Sequence, residues 1–153
     1  MDLSVVVVTY RSREHVIEGL RSLEAGLRAP TSGAPPLTWE CVVVDNDSHD
    51  GTPELVLREA PWARLVQTGA NLGYSKAVNR GSAETTGEFV LVLNPDCVWR
   101  EGGIHSLVTW LRGHPRCAIA APRIVNSDGS LEYSARAYPS PFAFLFNRYS
   151  LLT

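Results

Sequence analysis

Lysine is all but missing from this chain: Lys76 is the one lysine among 14 basic residues, which 16 acidic residues offset to a net charge of −2. So small a balance excludes a protein held to nucleic acid by a broad basic surface, while allowing a local positive patch around a phosphate. Cysteine is scarce too. Cys41, Cys97 and Cys117 are odd in number and sit in or beside apolar runs, where a thiol behaves as a small hydrophobe. Neither they nor His15, His49, His105 and His114 show metal-ligand spacing, which argues against a Cys/His zinc centre. A reducing, cytoplasmic setting follows as the expectation. No basic stretch leads into a long apolar run at the start, and nothing approaches the roughly 18–20 apolar residues that span a bilayer. We therefore expect neither leader nor spanning helix, and a chain able to work at the inner face of a membrane. Also absent are G-x-G-x-x-G after the first strand, G-x-x-x-x-G-K-S/T and G-x-S-x-G, so dinucleotide, P-loop and serine-hydrolase readings lose their signatures.

What is present is a set of short apolar runs, each stopping at polar residues. Phe89-Val90-Leu91-Val92-Leu93 has no polar alternation and ends at Asn94-Pro95-Asp96. It reads as a central strand buried on both faces, because proline cannot continue a sheet ladder. Leu3 to Tyr10 and Trp39 to Val44 read the same way, Leu65 to Gln67 as a short strand, and Cys117 to Ala121 as a fifth. Between them fall helical patterns: Val16 to Leu27 with Ser12 as its cap, Pro53 to about Ala60, Tyr74 to Glu84, and Glu101 to Arg112. Asn126-Ser127-Asp128-Gly129 reads as a tight hairpin turn. At 153 residues this is one domain by length, able to bury roughly 68–70% of its unfolded surface. Strand and helix in alternation predict an α/β fold around a mostly parallel sheet.

In such a sheet the residues after each strand gather at the carboxyl edge, where ligands bind. Thr9-Tyr10, Asp45, Asn71-Gly73 and Asn94-Asp96 all fall there. They are carboxylates and amides, suited to a base, a ribose and a hard divalent cation. Asp96 fits the cation role; the alternative is a loop or capping aspartate. Asp45 fits a hydrogen bond to a nucleobase N–H or ribose hydroxyl; the alternative is an Asx turn. Asp47 is open, and Asp50 before Gly51-Thr52-Pro53 reads as a helix start. Asn71, Gly73, Lys76 and Asn79 form a loop and first helical turn able to attract phosphate. The alternative is a solvated lysine and a glycine needed only for the turn.

These motifs in this order resemble family 2 glycosyltransferases of the GT-A fold, especially the bacterial rhamnosyltransferase-like branch. The carriers are Ser4 to Tyr10, Val43-Val44-Asp45-Asn46 with Asp50-Gly51-Thr52, Asn71-Leu72-Gly73-Tyr74 with Asn79-Arg80-Gly81, Leu93 to Asp96, and Pro122-Arg123 with Asp128-Gly129-Ser130. The resemblance implies a nucleotide-diphospho-sugar transferase: a sugar moves, with inversion, from a nucleotide-sugar donor such as dTDP-rhamnose or a UDP-sugar to the hydroxyl of a glycan or lipid-linked acceptor, in cell-wall or surface-polysaccharide synthesis. It places Thr9, Tyr10 and Asp45 in the nucleoside pocket, and Asn71, Gly73 and Asn79 against the nucleotide or its phosphates. Asn94-Pro95-Asp96 stands where the family has Asp-x-Asp, with Asn94 touching ribose or sugar and Asp96 holding Mg²⁺ or Mn²⁺.

The family's general base lies in a later acidic motif that this chain does not contain, and Asp128 and Glu132 precede that region. We expect residues 1–138 to form a donor-binding core, and 139–153, rich in Phe and Leu, to lead toward an acceptor-side half or to mediate self-association. The alternative function is a non-catalytic nucleotide-binding or interaction module.

Overall fold

The computed structural model describes residues 1–29, 35–100, 103–126 and 128–132, in two units, Met1–Ala120 and Ala121–Thr153. In the first unit four parallel strands, β1 (Leu3–Thr9), β2 (Trp39–Asp45), β3 (Arg64–Gln67) and β4 (Phe89–Leu93), lie in the order β3-β2-β1-β4. Helices α1 (Val16–Arg28), α2 (Thr52–Glu59), α3 (Tyr74–Ser82) and α4 (Ile104–Gly113) follow the strands in turn.

The unbroken apolar runs of β1 and β2 are explained by two cores, one on each side of the sheet. Val5, Val7, Cys41 and Val43 pack with Val16, Leu20, Leu23 and Leu27 of α1, Val56 of α2 and Ile104 and Val108 of α4. Val6, Val8, Val42 and Val44 pack on the other face with Ala77 and Val78 of α3. Gly81 lets α3 settle there: a Cβ on it would lie 2.6 Å from a methyl of Val6 and 2.7 Å from one of Val44.

Two expectations are corrected. β4 is not central among the described residues but an edge strand paired to β1 alone. Phe89, Leu91 and Leu93 turn to the first core, while Val90 and Val92 stay 47% and 41% exposed, because α3 covers β1 and β2 and not β4. Among the described residues the fifth strand does not form. Residues 117–120 have no ladder partner among the described residues and Ile119 is exposed, and a strand without a neighbour leaves its backbone groups unpaired.

Helix α1 begins at Val16 rather than just after Ser12, since the Ser12 hydroxyl turns back to Tyr10 instead of capping. In the second unit a bridge pairs Val125 with Leu131 across the turn at Asp128-Gly129. The 139–153 segment lies outside the described residues.

Candidate donor-binding cleft

Strand register sets the site. Thr9 is level with Asp45, and Asp45 with Gln67, so β1, β2 and β3 end along one line, while β4 ends at Leu93, level with Val7 two residues short of it. A cleft of about 420 Å³ opens there, lined by Val8, Tyr10, Arg11, Ser12, His15, Asn46, Asn71, Tyr74, Asn94, Pro95 and Asp96. That volume falls in the range of small-molecule sites.

Beneath the lining is a buried polar layer. Asp45, 1% exposed, accepts from the Thr9 hydroxyl (2.9 Å) and from the Ser48 N–H (2.9 Å). The Ser48 hydroxyl accepts from the Arg11 N–H (2.9 Å), and Thr52 and Asp50 receive the N–H groups of Ser12 and Arg13. The loop after β2 thus holds the loop after β1 residue by residue. A consequence is that Arg11 sits at φ +53° and Asp47 at φ +72°, a left-handed region uncommon for residues other than glycine.

The floor is an amide pair of fixed orientation. The Leu72 N–H lies 2.9 Å from one side-chain atom of Asn46, which must be its oxygen; the Gly73 N–H fixes the oxygen of Asn71 at 3.0 Å in the same way. The Asn46 amide nitrogen then donates to that Asn71 oxygen at 2.9 Å. On the far wall the Tyr74 hydroxyl donates to the Asn94 side-chain oxygen at 3.0 Å. Burial, together with the neighbouring Cys97, raises that hydroxyl above its ordinary value, so it remains a donor at neutral pH.

Asp96 stands exposed at the mouth, its loop laid along α1. A Cβ on Gly19 would come within 2.8 Å of the Pro95 carbonyl oxygen, the Trp99 N–H donates to the Ser22 hydroxyl at 2.8 Å, and a Cβ on Gly26 would meet the Trp99 ring at 2.8 Å.

Of the residues expected at the site, Tyr10, Asn71, Asn94 and Asp96 line the cleft, and Thr9, Asp45, Gly73 and Asn79 do not. Asp45 and Thr9 are buried with their polar atoms turned to each other, beneath the residues that line the cleft. Gly73 caps α3 at φ +81°, Asn79 lies further along that helix, and Lys76 is exposed outside the cleft. Sequence reasoning missed Asn46, Tyr74, Arg11, Ser12 and His15. Asn46 and Tyr74 fall inside the motifs quoted above, so the signal was a neighbour of the residue chosen.

No group of three or more His, Cys, Asp or Glu that could hold a metal occurs among the described residues. One carboxylate among amide oxygens is nevertheless a fitting donor set for Mg²⁺ or Mn²⁺, which commonly take one or two carboxylates with substrate phosphates and water.

A parallel α/β sheet with its cleft at the carboxyl edge, one wall formed by the strand that leads into Asn-Pro-Asp, is a GT-A fold. The same fold is found in TarS of S. aureus, solved as residues 1–349 with UDP, at TM-score 0.63 and 28% identity over 75% of this chain and 33% of that one. It is found again in the mannosyltransferase PcManGT of Pyrobaculum calidifontis, solved with GDP-Man and Mn²⁺, at TM-score 0.58 and 29% identity over 71% of this chain and 32% of that one.

The model of glycosyl transferase family 2 matches residues 4–152, and the chain belongs to that family. It is 37% identical to the N-acetylglucosaminyl-diphospho-decaprenol L-rhamnosyltransferase of Mycobacterium tuberculosis over 149 residues, 90% of this chain and 46% of that one. It is 32% identical to the low-salt glycan biosynthesis hexosyltransferase Agl10 of Haloferax volcanii over 155 residues, 99% of this chain and 45% of that one. The chain therefore spans somewhat under half the length of these relatives.

Proposed function

We propose that this chain is the donor-binding part of an inverting glycosyltransferase that moves a sugar from a nucleotide diphosphate, dTDP-rhamnose or a UDP-sugar, to a hydroxyl of a glycan or lipid-linked acceptor in surface-polysaccharide synthesis. The observation that carries the reading is the cleft itself, with a neutral amide floor suited to a base and ribose and a single carboxylate, Asp96, at its mouth. Tyr10, Asn46 and Asn71 hold the nucleoside, with Thr9 and Asp45 fixing the loops beneath. Tyr74 orients the Asn94 amide toward ribose or sugar. Asp96 binds a divalent cation, which when present supplies positive charge to the departing diphosphate.

Asp96 is the one carboxylate lining the cleft among the described residues, and a group committed to a cation cannot also take the proton of an attacking hydroxyl. The base therefore comes from outside the cleft lining, and the second reading, a nucleotide-binding module without chemistry of its own, is favoured by that same fact for the chain in isolation. No helix among the described residues is long and apolar enough to cross a membrane; a lipid-linked acceptor would be met from the membrane surface.

Calorimetric titration with UDP and dTDP, with and without Mn²⁺, tests the reading. Wild type should bind with metal-enhanced affinity. Asp96→Asn should lose the enhancement and keep the metal-free affinity, because a neutral amide is a poorer ligand for a hard cation. Equal losses with and without Mn²⁺ would remove Asp96 from the metal. Robust sugar transfer by this chain alone would overturn the half-enzyme reading.

A further inference from the structure

Among the described residues the one guanidinium in the cleft is that of Arg11. Elsewhere in the first unit Arg21, Arg28, Arg58, Arg64, Arg80 and Arg112 each meet a glutamate or aspartate and Arg13 donates to the Asp50 carbonyl, while Arg100 and Arg116 lie outside the cleft. Arg11 meets no carboxylate among the described residues. Its guanidinium carbon stands 5.3 Å from the centroid of the Tyr10 ring, which also lines the cleft. Stacking of this kind steadies a guanidinium while leaving its donor edge available.

The backbone adds a second argument. Position 11 is left-handed at φ +53°, a conformation glycine adopts more easily than arginine. It is held there by the bond from its N–H to Ser48, so the surrounding loop sustains an unfavourable conformation with a long cation attached. Lys76, the cation expected near phosphate, lies outside the cleft.

We propose that Arg11 is the diphosphate anchor of this site, its planar fork taking phosphate oxygens of the nucleoside diphosphate while Asp96 serves the cation on the same group. A diphosphate carries more negative charge than one divalent cation neutralises, the more so when a carboxylate holds that cation, and a guanidinium matches a pair of phosphate oxygens bidentately. The proposal rests on the donor-binding reading above and deepens it by assigning the group that reads the diphosphate.

The test is calorimetric titration of the full chain, wild type, Arg11→Gln and Arg11→Lys, with UDP, uridine and farnesyl diphosphate in metal-free buffer containing EDTA. Because the Arg11 side chain is exposed and its backbone tie does not depend on it, the variants should keep wild-type circular dichroism and melting. Arg11→Gln should weaken UDP by about tenfold or more and leave uridine unchanged, with Arg11→Lys between it and wild type. Equal losses for UDP and uridine, or no loss for either, would overturn the proposal while wild-type binding upholds the site. A loss confined to farnesyl diphosphate would move the contact to a lipid-linked acceptor and overturn the donor assignment. Failure of wild type to bind UDP or uridine would sink the donor-binding reading and this proposal with it.

Discussion

Replacing Asp45 should cost stability first and ligand affinity only as a consequence. The carboxylate is 1% exposed and accepts two hydrogen bonds, from Thr9 and from the Ser48 N–H, each at 2.9 Å. A hydrogen bond to a charged group contributes about 1.5–3 kcal/mol, and an abandoned buried N–H adds its own desolvation penalty, so Asp45→Ala should lose about 3–5 kcal/mol. Against the roughly 5–15 kcal/mol of a whole domain that is a severe change. Asp45→Asn should be far milder, about 1–2 kcal/mol. Its oxygen can keep the Ser48 N–H, and its NH₂ can donate to the Thr9 hydroxyl, which then swings its own proton to the Val44 carbonyl 3.5 Å away. Urea unfolding followed by far-ultraviolet circular dichroism reads both, and uridine titration on the folded fraction reads the site. A normal urea midpoint for Asp45→Ala with uridine binding abolished would refute the reasoning and make Asp45 a ligand contact.

Other perturbations follow from the packing. Gly81→Ala gains helix propensity worth up to about 1 kcal/mol, but its methyl would press on Val6 and Val44 at 2.6 and 2.7 Å, and overpacking costs about 1–3 kcal/mol. A lower urea midpoint is expected, and a higher one would show that α3 can lift off the sheet without loss. For Glu40, burial pushes the carboxyl up, but bonds from the Thr86 N–H, the Ser4 hydroxyl and the Thr86 hydroxyl outweigh it and leave the group below its ordinary 4.5. A value depressed by folding contributes stability that is full above that ordinary value and fades as pH falls through the folded one. Wild type and Glu40→Gln should therefore differ at neutral pH and converge on acidification below about 4.5; a constant offset across that window would exclude Glu40 as the source.

The four strands and their helices were legible because unbroken apolar runs and turn residues report local burial directly. Less could be read where the outcome depends on a neighbour. The run from Phe89 to Leu93 says that both faces can be buried, not what lies over Val90 and Val92, and Cys117 to Ala121 says nothing of whether a strand waits beside it. The same limit explains why Asn46, which lines the cleft, was not picked out beside Asp45. In a strand buried on both sides, periodicity carries no parity, so the sequence cannot tell which of two adjacent residues faces the cleft. Ser12 misled for another reason, since its hydroxyl satisfies Tyr10 and the helix waits until Val16.

Helix α1 supports both walls of the cleft. Ser12 and His15 stand at its start, and one turn on, Gly19 receives the Pro95 and Cys97 carbonyls of the loop that carries Asp96. At a rise of about 1.5 Å per residue, His15 and Gly19 are roughly 6 Å apart along a single hydrogen-bonded helix. The width of the opening at this wall is therefore a helix dimension, with no hinge in it. On the proposed reading a donor would meet a gap set along this helix, and the ordering cost that a mobile loop would levy on each binding event would be absent there. On that reading, motion that sequesters a sugar is expected from elements other than α1, against which the Asp96 loop is packed.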